Sequence, residues 1–448
     1  VTVSTIPGFS ISTPKIGRPR QTETGFKADG TPDDNDRVEI GPPERAFDEW
    51  SDLGLTPPNL EHMREEHLQR ICRQLQSRDY GGILLFDPLN IRYATDCSNM
   101  QLWVTHNPAR AVFVSADGYI ILWDFYRCEH LSAHLPLISE VRDGAGFFYF
   151  LSGDAEEQHA KRFAKQVDDA LRRHGGGNRR LAIDKMEISG IEAIQRLGIA
   201  IKSGQQLMEH ARLVKSENDI RAMRCALATC EIAVAAMHQA LKPDVTEIEL
   251  WSVLHAENIK RGGEWIETRI LSSGPRTNPW MQEAGPRKIR AGELVAFDTD
   301  LIGPYGYCAD ISRTWYCGED RPSDEQRLLY HIAHEHIQSN IDMLAPGVAF
   351  REMSENGHRL PEKYRPQRYG VLMHGVGLCD EFPAIYYPED FVAGAFDYVF
   401  EPGMTMCVEA YIGERGGNEG VKLEEQVLIT EKGVEILSRC PFDERLMS

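Results

Sequence analysis

The most constraining feature of this chain is a set of acidic residues inside segments that otherwise read as buried β-strand. In Val295-Ala296-Phe297-Asp298-Thr299-Asp300 two carboxylates interrupt an apolar run. Alternation along a strand puts Asp298 and Asp300 on one face. Gly303-Pro304 is a turn signal, and a hairpin there returns Tyr307-Cys308-Ala309-Asp310 towards that face. Glu409 interrupts the run begun by Met406-Cys407-Val408, and Glu424 lies in a strand that can pair beside it. His374 stands in His374-Gly375-Val376-Gly377, where glycine permits close backbone approach. So many buried carboxylates cannot all stay ionised without a compensating cation. Oxygen-rich surroundings with one imidazole suit Mn, Fe, Co or Zn, and two divalent ions are needed to balance the charge.

The rest of the chain is of ordinary globular composition. Its 448 residues lead one to expect two domains. No apolar stretch approaches the roughly 20 residues of a membrane-spanning helix, and no secretory signal is visible, so a cytoplasmic protein is expected. The formal charge of −19 argues against nucleic acid or an anionic membrane as partner. Ten cysteines without a CxxC pair read as buried, reduced thiols.

Residues 1–58 are expected to form an extended amino-terminal arm, residues 59–208 an α/β domain, and residues 209–448 a metal-binding catalytic domain. The arm is rich in Pro, Gly, Thr and charge, without a sustained period. Residues 59–77 follow a helical period, strands are expected at 82–86, 111–114, 119–123 and 181–183, and a helix at 155–173. Ser216 with Asp219, Thr246 with Glu249, and Ser323 with Gln326 are three helix-start signatures. Strands of alternating character at 294–300, 307–316, 404–412 and 422–430 complete an α+β layer fold around a curved antiparallel sheet.

Four segments carry a family resemblance. Asp87-Pro88-Leu89-Asn90-Ile91-Arg92-Tyr93, Arg212-Leu213-Val214-Lys215-Ser216-Glu217, Gly306-Tyr307-Cys308-Ala309-Asp310-Ile311-Ser312-Arg313-Thr314 and the His374 segment resemble, in order, motifs of the creatinase/aminopeptidase P superfamily. The resemblance covers roughly residues 60–440. It implies a pita-bread catalytic domain behind a creatinase-type α/β domain, with metal ligands at Asp298, Asp310, His374, Glu409 and Glu424. Asp298 and Asp300 lie 12 and 10 residues before Asp310. The family's spacing falls between these values, so either or both can be ligands.

Two departures point away from peptide hydrolysis. Where the peptidases carry a histidine ahead of the first aspartate, this chain reads Asn278-Pro279-Trp280-Met281-Gln282. Where they carry another after the ligand histidine, it reads Cys379-Asp380-Glu381-Phe382-Pro383. These substitutions resemble the DddP-type dimethylsulfoniopropionate lyases of the same superfamily. That resemblance implies β-elimination of dimethylsulfoniopropionate to dimethyl sulfide and acrylate, iron as the metal, and a homodimer. Asp380 is the expected base. Tyr369, Trp280 and Phe382 are candidates for contact with the sulfonium group, with Tyr386 and Tyr387 as further aromatics nearby. The rival expectations are an X-Pro aminopeptidase or creatinase-like hydrolase, and a non-catalytic binding module that reuses the fold.

Overall fold

The structure is a computed structural model, and it describes residues 41–448. Most of the expected arm, residues 1–40, lies outside the described residues. The described part corrects the extended reading, since Glu44–Asp52 is helical. Ala46 and Trp50, one turn apart, bury an apolar stripe against Cys225 and Ala228. Trp50 also stacks on Tyr305 at 5.7 Å, and Glu49 pairs with Arg261 at 2.6 Å. Two anchors in nine residues form too short a stripe to stand out as a period in the sequence.

The amino-terminal half is built on a six-stranded mixed sheet, ordered Glu140–Asp143, Ile120–Asp124, Ala111–Ser115, Gly82–Leu85, Arg180–Ile183 and Ala200–Ser203. Gly82–Leu85 is buried throughout, as its unbroken apolar run requires. Two residues past the strand, the carboxylate of Asp87 accepts from Leu89 N at 2.9 Å and caps the helix Pro88–Thr95. Proline at the first helical position loses no hydrogen bond there. This helix turns Asn90 and Arg92 into the protein, where both are buried. The helix Gln205–Arg212 runs across residue 208, the expected domain boundary, and packs on Leu60–Ser77.

All three helix-start signatures ahead of Glu217–Ala240, Glu247–Ile259 and Asp324–Met343 are present as reciprocal capping boxes. Ser323→Ala is expected to cost about 1 kcal/mol, read as a lower urea midpoint. The main sheet of the carboxy-terminal half is antiparallel, ordered Asp380–Tyr386, Val371–Val376, Thr405–Gly413, Gly420–Thr430 and Gly433–Ile436. A second, three-stranded sheet runs Ser312–Cys317, Glu293–Asp298, Leu271–Ser273. Thr314 Oγ1 donates to Lys422 O at 2.9 Å and joins the two.

The expected strands break where the carboxylates fall. The run 294–300 ends as a strand at Asp298, and 307–316 divides into Cys308–Ala309 and Ser312–Cys317 with Asp310 in the gap. Among the described residues no helix is long and apolar enough to cross a membrane, and all ten cysteines are unpaired.

Candidate metal centre

Glu409 and Glu424 face each other across paired strands, and His374 lies opposite Cys407 on the neighbouring pair. Period-two alternation therefore delivers Cys407, Glu409, Glu424, Gln426 and His374 to one face. The second sheet adds Asp298 at its last strand residue, opposite Ser312. Asp300 arrives by another route than simple alternation. Its φ of 36° turns the chain out of the strand, and Thr268 Oγ1 donates to its Oδ2 at 2.7 Å.

Candidate ligand atoms cluster in overlapping groups: Asp298 with Asp300 and Asp310; Asp310 with His374, Cys407 and Glu424; Asp298 with Glu409 and Glu424. Asp298, Asp310 and Glu424 each belong to two groups, as residues between neighbouring positions would. The structure thus brings together all six residues singled out from the sequence.

His374 is oriented for coordination. Its Nδ1 lies 3.0 Å from Gly375 O, so a proton there is donated to the backbone. Nε2 faces Asp310, Glu409 and Glu424 at 3.6, 3.4 and 3.5 Å, a proton holding it there without metal and its lone pair meeting a cation that would take the proton's place. Glu409 Oε1 and Glu424 Oε1 are buried without a hydrogen-bond donor. Orphaned carboxylate oxygens around one imidazole are the donor set a transition-metal ion satisfies. The residues fit a metal centre.

The electrostatics agree. Desolvation, then repulsion by Asp298 and Asp380, pushes the Asp300 carboxyl up to about 8. Desolvation carries Glu409 up to about 8 against the pull of Lys422. Asp310 is raised by burial and by Glu424 and Asp298. Glu424, despite its burial, is held low by Lys422 and His374.

Lys422 is a member of this cluster that the sequence reading missed. It is fully buried, and its Nζ lies 3.1 Å from Asp298 Oδ2, 2.8 Å from Glu409 Oε2, 3.0 Å from Glu424 Oε2 and 2.7 Å from Ser312 Oγ. The signal was available, since a lysine two residues before a buried glutamate on one strand shares its face. Nζ also sits over the ring of Tyr369 at 4.7 Å and that of Trp280 at 5.8 Å. Trp280 packs with Ala296 and Tyr411 in a small apolar cluster that Tyr369 joins. These two aromatics border the cage.

Asp380 opens the strand Asp380–Tyr386, its side chain 53% exposed and its Oδ1 3.6 Å from His374 Nδ1. Burial alternates along that strand, so Asp380 and Phe382 share its more open face. Phe382 packs among Phe396, Tyr398 and His210 at 5.8, 5.5 and 5.5 Å. Tyr386 lies 6.0 Å from Phe396. Tyr387 bonds to His336 Nε2 at 3.1 Å inside the core. These last two tyrosines do not join the aromatics that border the cage.

Comparison with known proteins places the chain in a family. Residues 221–431 match the model of metallopeptidase family M24. The chain is 53% identical over 424 residues to dimethylsulfoniopropionate lyase DddP of Roseovarius nubinhibens, covering 94% of this chain and 95% of that one. It is 51% identical to the protein of the same name from Roseobacter denitrificans, with the same coverage. Among solved structures, an Xaa-Pro dipeptidase from Bacillus anthracis superposes with a TM-score of 0.69 at 25% identity, over 85% of this chain and 99% of that one. The prolidase of Pyrococcus horikoshii, 20% identical over 84% of this chain and 99% of its own, gives 0.63 and shares the fold.

Proposed function

Because this chain belongs to the DddP family of dimethylsulfoniopropionate lyases, with a catalytic half of the metallopeptidase M24 type, we propose that it cleaves dimethylsulfoniopropionate to dimethyl sulfide and acrylate, with Asp380 as the base. The observation that carries the mechanism is the half-exposed carboxylate of Asp380 beside the ligand histidine. It stands where the resembling peptidases have a histidine for proton transfer to a leaving amine.

In the β-elimination, the proton on the carbon next to the substrate carboxylate passes to Asp380. Its bonding pair forms the carbon–carbon double bond, and the carbon–sulfur pair leaves with sulfur. The sulfide departs neutral, so no acid is needed to protonate it. Divalent cations bound by Asp298, Asp300, Asp310, His374, Glu409 and Glu424 would supply Lewis-acid stabilisation of the charge that develops on the substrate carboxylate. Five carboxylates and the Lys422 ammonium leave four negative charges, which two such ions balance. We assign iron to both positions and a homodimer to the assembly; elemental analysis and sedimentation test these assignments.

A substrate with a carboxylate at one end and a sulfonium at the other calls for cations at the first and aromatic or acidic groups at the second. Lys422 offsets part of the negative charge of the cage, so that bound cations have a net attraction left for the substrate carboxylate. Glu267, whose backbone N donates to Asp300 O at 3.0 Å, adds a further carboxyl near Asp380, pushed up to about 7 by desolvation and by repulsion from Asp380. Tyr369 offers the sulfonium methyls aromatic surface beside the cage, Trp280 backs it between Lys422 and Tyr411, and Phe382 extends the open face that carries Asp380.

The test is headspace gas chromatography for dimethyl sulfide after adding dimethylsulfoniopropionate to purified, metal-loaded protein. Stoichiometric dimethyl sulfide and acrylate are expected. Folded, metal-replete protein that releases neither, or that cleaves an X-Pro peptide instead, would overturn the reading.

A further inference from the structure

Two motifs singled out in the sequence have no part in the chemistry so far: Asp87-Pro88-Leu89-Asn90 in the amino-terminal half and Arg212-Leu213-Val214-Lys215 at the junction. They meet behind Asp380. Its neighbour Glu381 is buried, and its Oε1 accepts from Arg212 Nε at 2.9 Å and from Leu378 N at 3.0 Å. Glu381 Oε2 accepts from Lys215 Nζ at 3.0 Å. Gly377 lies flat on this carboxylate, where a Cβ would stand 2.5 Å from Oε2. Arg212 also donates to Glu209 Oε1 at 2.7 Å, and Glu209 Oε2 accepts from Phe382 N at 3.0 Å.

The remaining arm of the Arg212 guanidinium donates to Asn90 Oδ1. Asn90 is fixed in turn, since its Nδ2 donates to Asp184 Oδ2 at 3.0 Å. Asp184 accepts from Phe86 N and Asp87 N at 2.8 and 3.0 Å, the end of the central strand of the amino-terminal sheet. Leu378, Glu381 and Phe382 are therefore all pinned by one buried network, while the Asp380 side chain between them is half exposed, with His374 Nδ1 3.6 Å from its carboxylate. The backbone on both sides holds the aim of that carboxylate.

We infer that Arg212, seated by Asn90 of the amino-terminal domain, is the positioning residue for the base, and that this domain takes part in the reaction by setting where the Asp380 carboxylate points. The inference rests on Asp380 being the base. Arg212 presents its donors in a rigid fork that lysine cannot reproduce, and a misplacement of about 1 Å at a reacting group can cost on the order of 10²-fold in rate.

Asn90→Ala removes only the tie to the amino-terminal sheet. Arg212→Lys keeps the charge beside Glu381 and loses the fork, and it serves if Asn90→Ala fails to fold. Each is compared with wild type in metal content, KM, kcat per metal-loaded site, and the isotope effect with substrate deuterated next to its carboxylate. The expected result is kcat per site down about 10–100-fold, with KM within two-fold, metal content unchanged, and an isotope effect no smaller than that of the wild type. A merely structural role would reduce the number of competent sites and leave kcat per site alone. That outcome, or loss of metal in parallel with activity, overturns the inference. Asp380→Asn separates the two levels. If it retains turnover, the base assignment fails and takes the clamp with it; if it is inactive while both clamp variants turn over normally per site, the clamp alone fails.

Discussion

Asp380→Asn is expected to lower kcat by about 10²- to 10⁴-fold, the usual contribution of a positioned general base, while the metal content stays at the wild-type level. Asp380 belongs to none of the candidate ligand groups, and the ring of His374 beside it has its other nitrogen turned to the cage. Asparagine matches the carboxylate in shape and cannot take a proton. The pH dependence gives a second readout. Desolvation raises the Asp380 carboxyl above the ordinary range, and repulsion from Glu424 adds to this against the pull of His374. A base must be ionised to act, so kcat/KM should rise with pH through that raised value and fall away below it. The residual activity of Asp380→Asn should lack this limb. An asparagine variant with full metal and near-normal turnover would remove Asp380 from the mechanism.

His374→Ala is expected to cost more than the roughly 10–100-fold that loss of a supporting residue costs a metal site, with a matching loss of bound metal. It removes the one imidazole shared by three carboxylates. Chelation of the intact protein should show the same dependence through stability. In the metal-free fold Asp300 and Glu409 titrate near 8, whereas in the unfolded chain they ionise near the ordinary carboxylate value. Between about pH 4 and 8 the folded state therefore holds more protons than the unfolded one, and stability falls as pH rises. Glu424, held low, has the opposite slope, but only below the ordinary carboxylate value and outside this window. Bound cations accept the ionised carboxylates and offset the penalty. The gap in Tm between metal-loaded and chelated protein should widen from pH 5 to pH 8. A constant or narrowing gap, or a His374→Ala protein with full metal, would contradict the cage as drawn.

Much of this was legible in the chain because it rests on local rules. Three capping boxes announce three helices, since a side-chain oxygen three residues from a backbone N–H leaves little choice of conformation. Glu409 and Glu424 stand out because a carboxylate in an apolar strand has to answer for its burial. The helix Glu44–Asp52 was not legible, because what stabilises it is a surface contributed by residues 225 and 228. Asp300 reached the cage by a left-handed residue where strand alternation had been assumed, and nothing in Asp-Thr-Asp distinguishes the two routes.

The sequence by itself determined which residue types would gather and that their charge needs cations, because alternation and desolvation act on a few neighbouring residues at a time. Only the tertiary structure decided that Lys422 stands among the carboxylates as a resident cation, and that Arg212 reaches Asn90 on one side and Glu381 on the other. Both depend on contacts between segments far apart in the chain, and no periodicity carries their distances. Packing decides which charge each buried charge will meet.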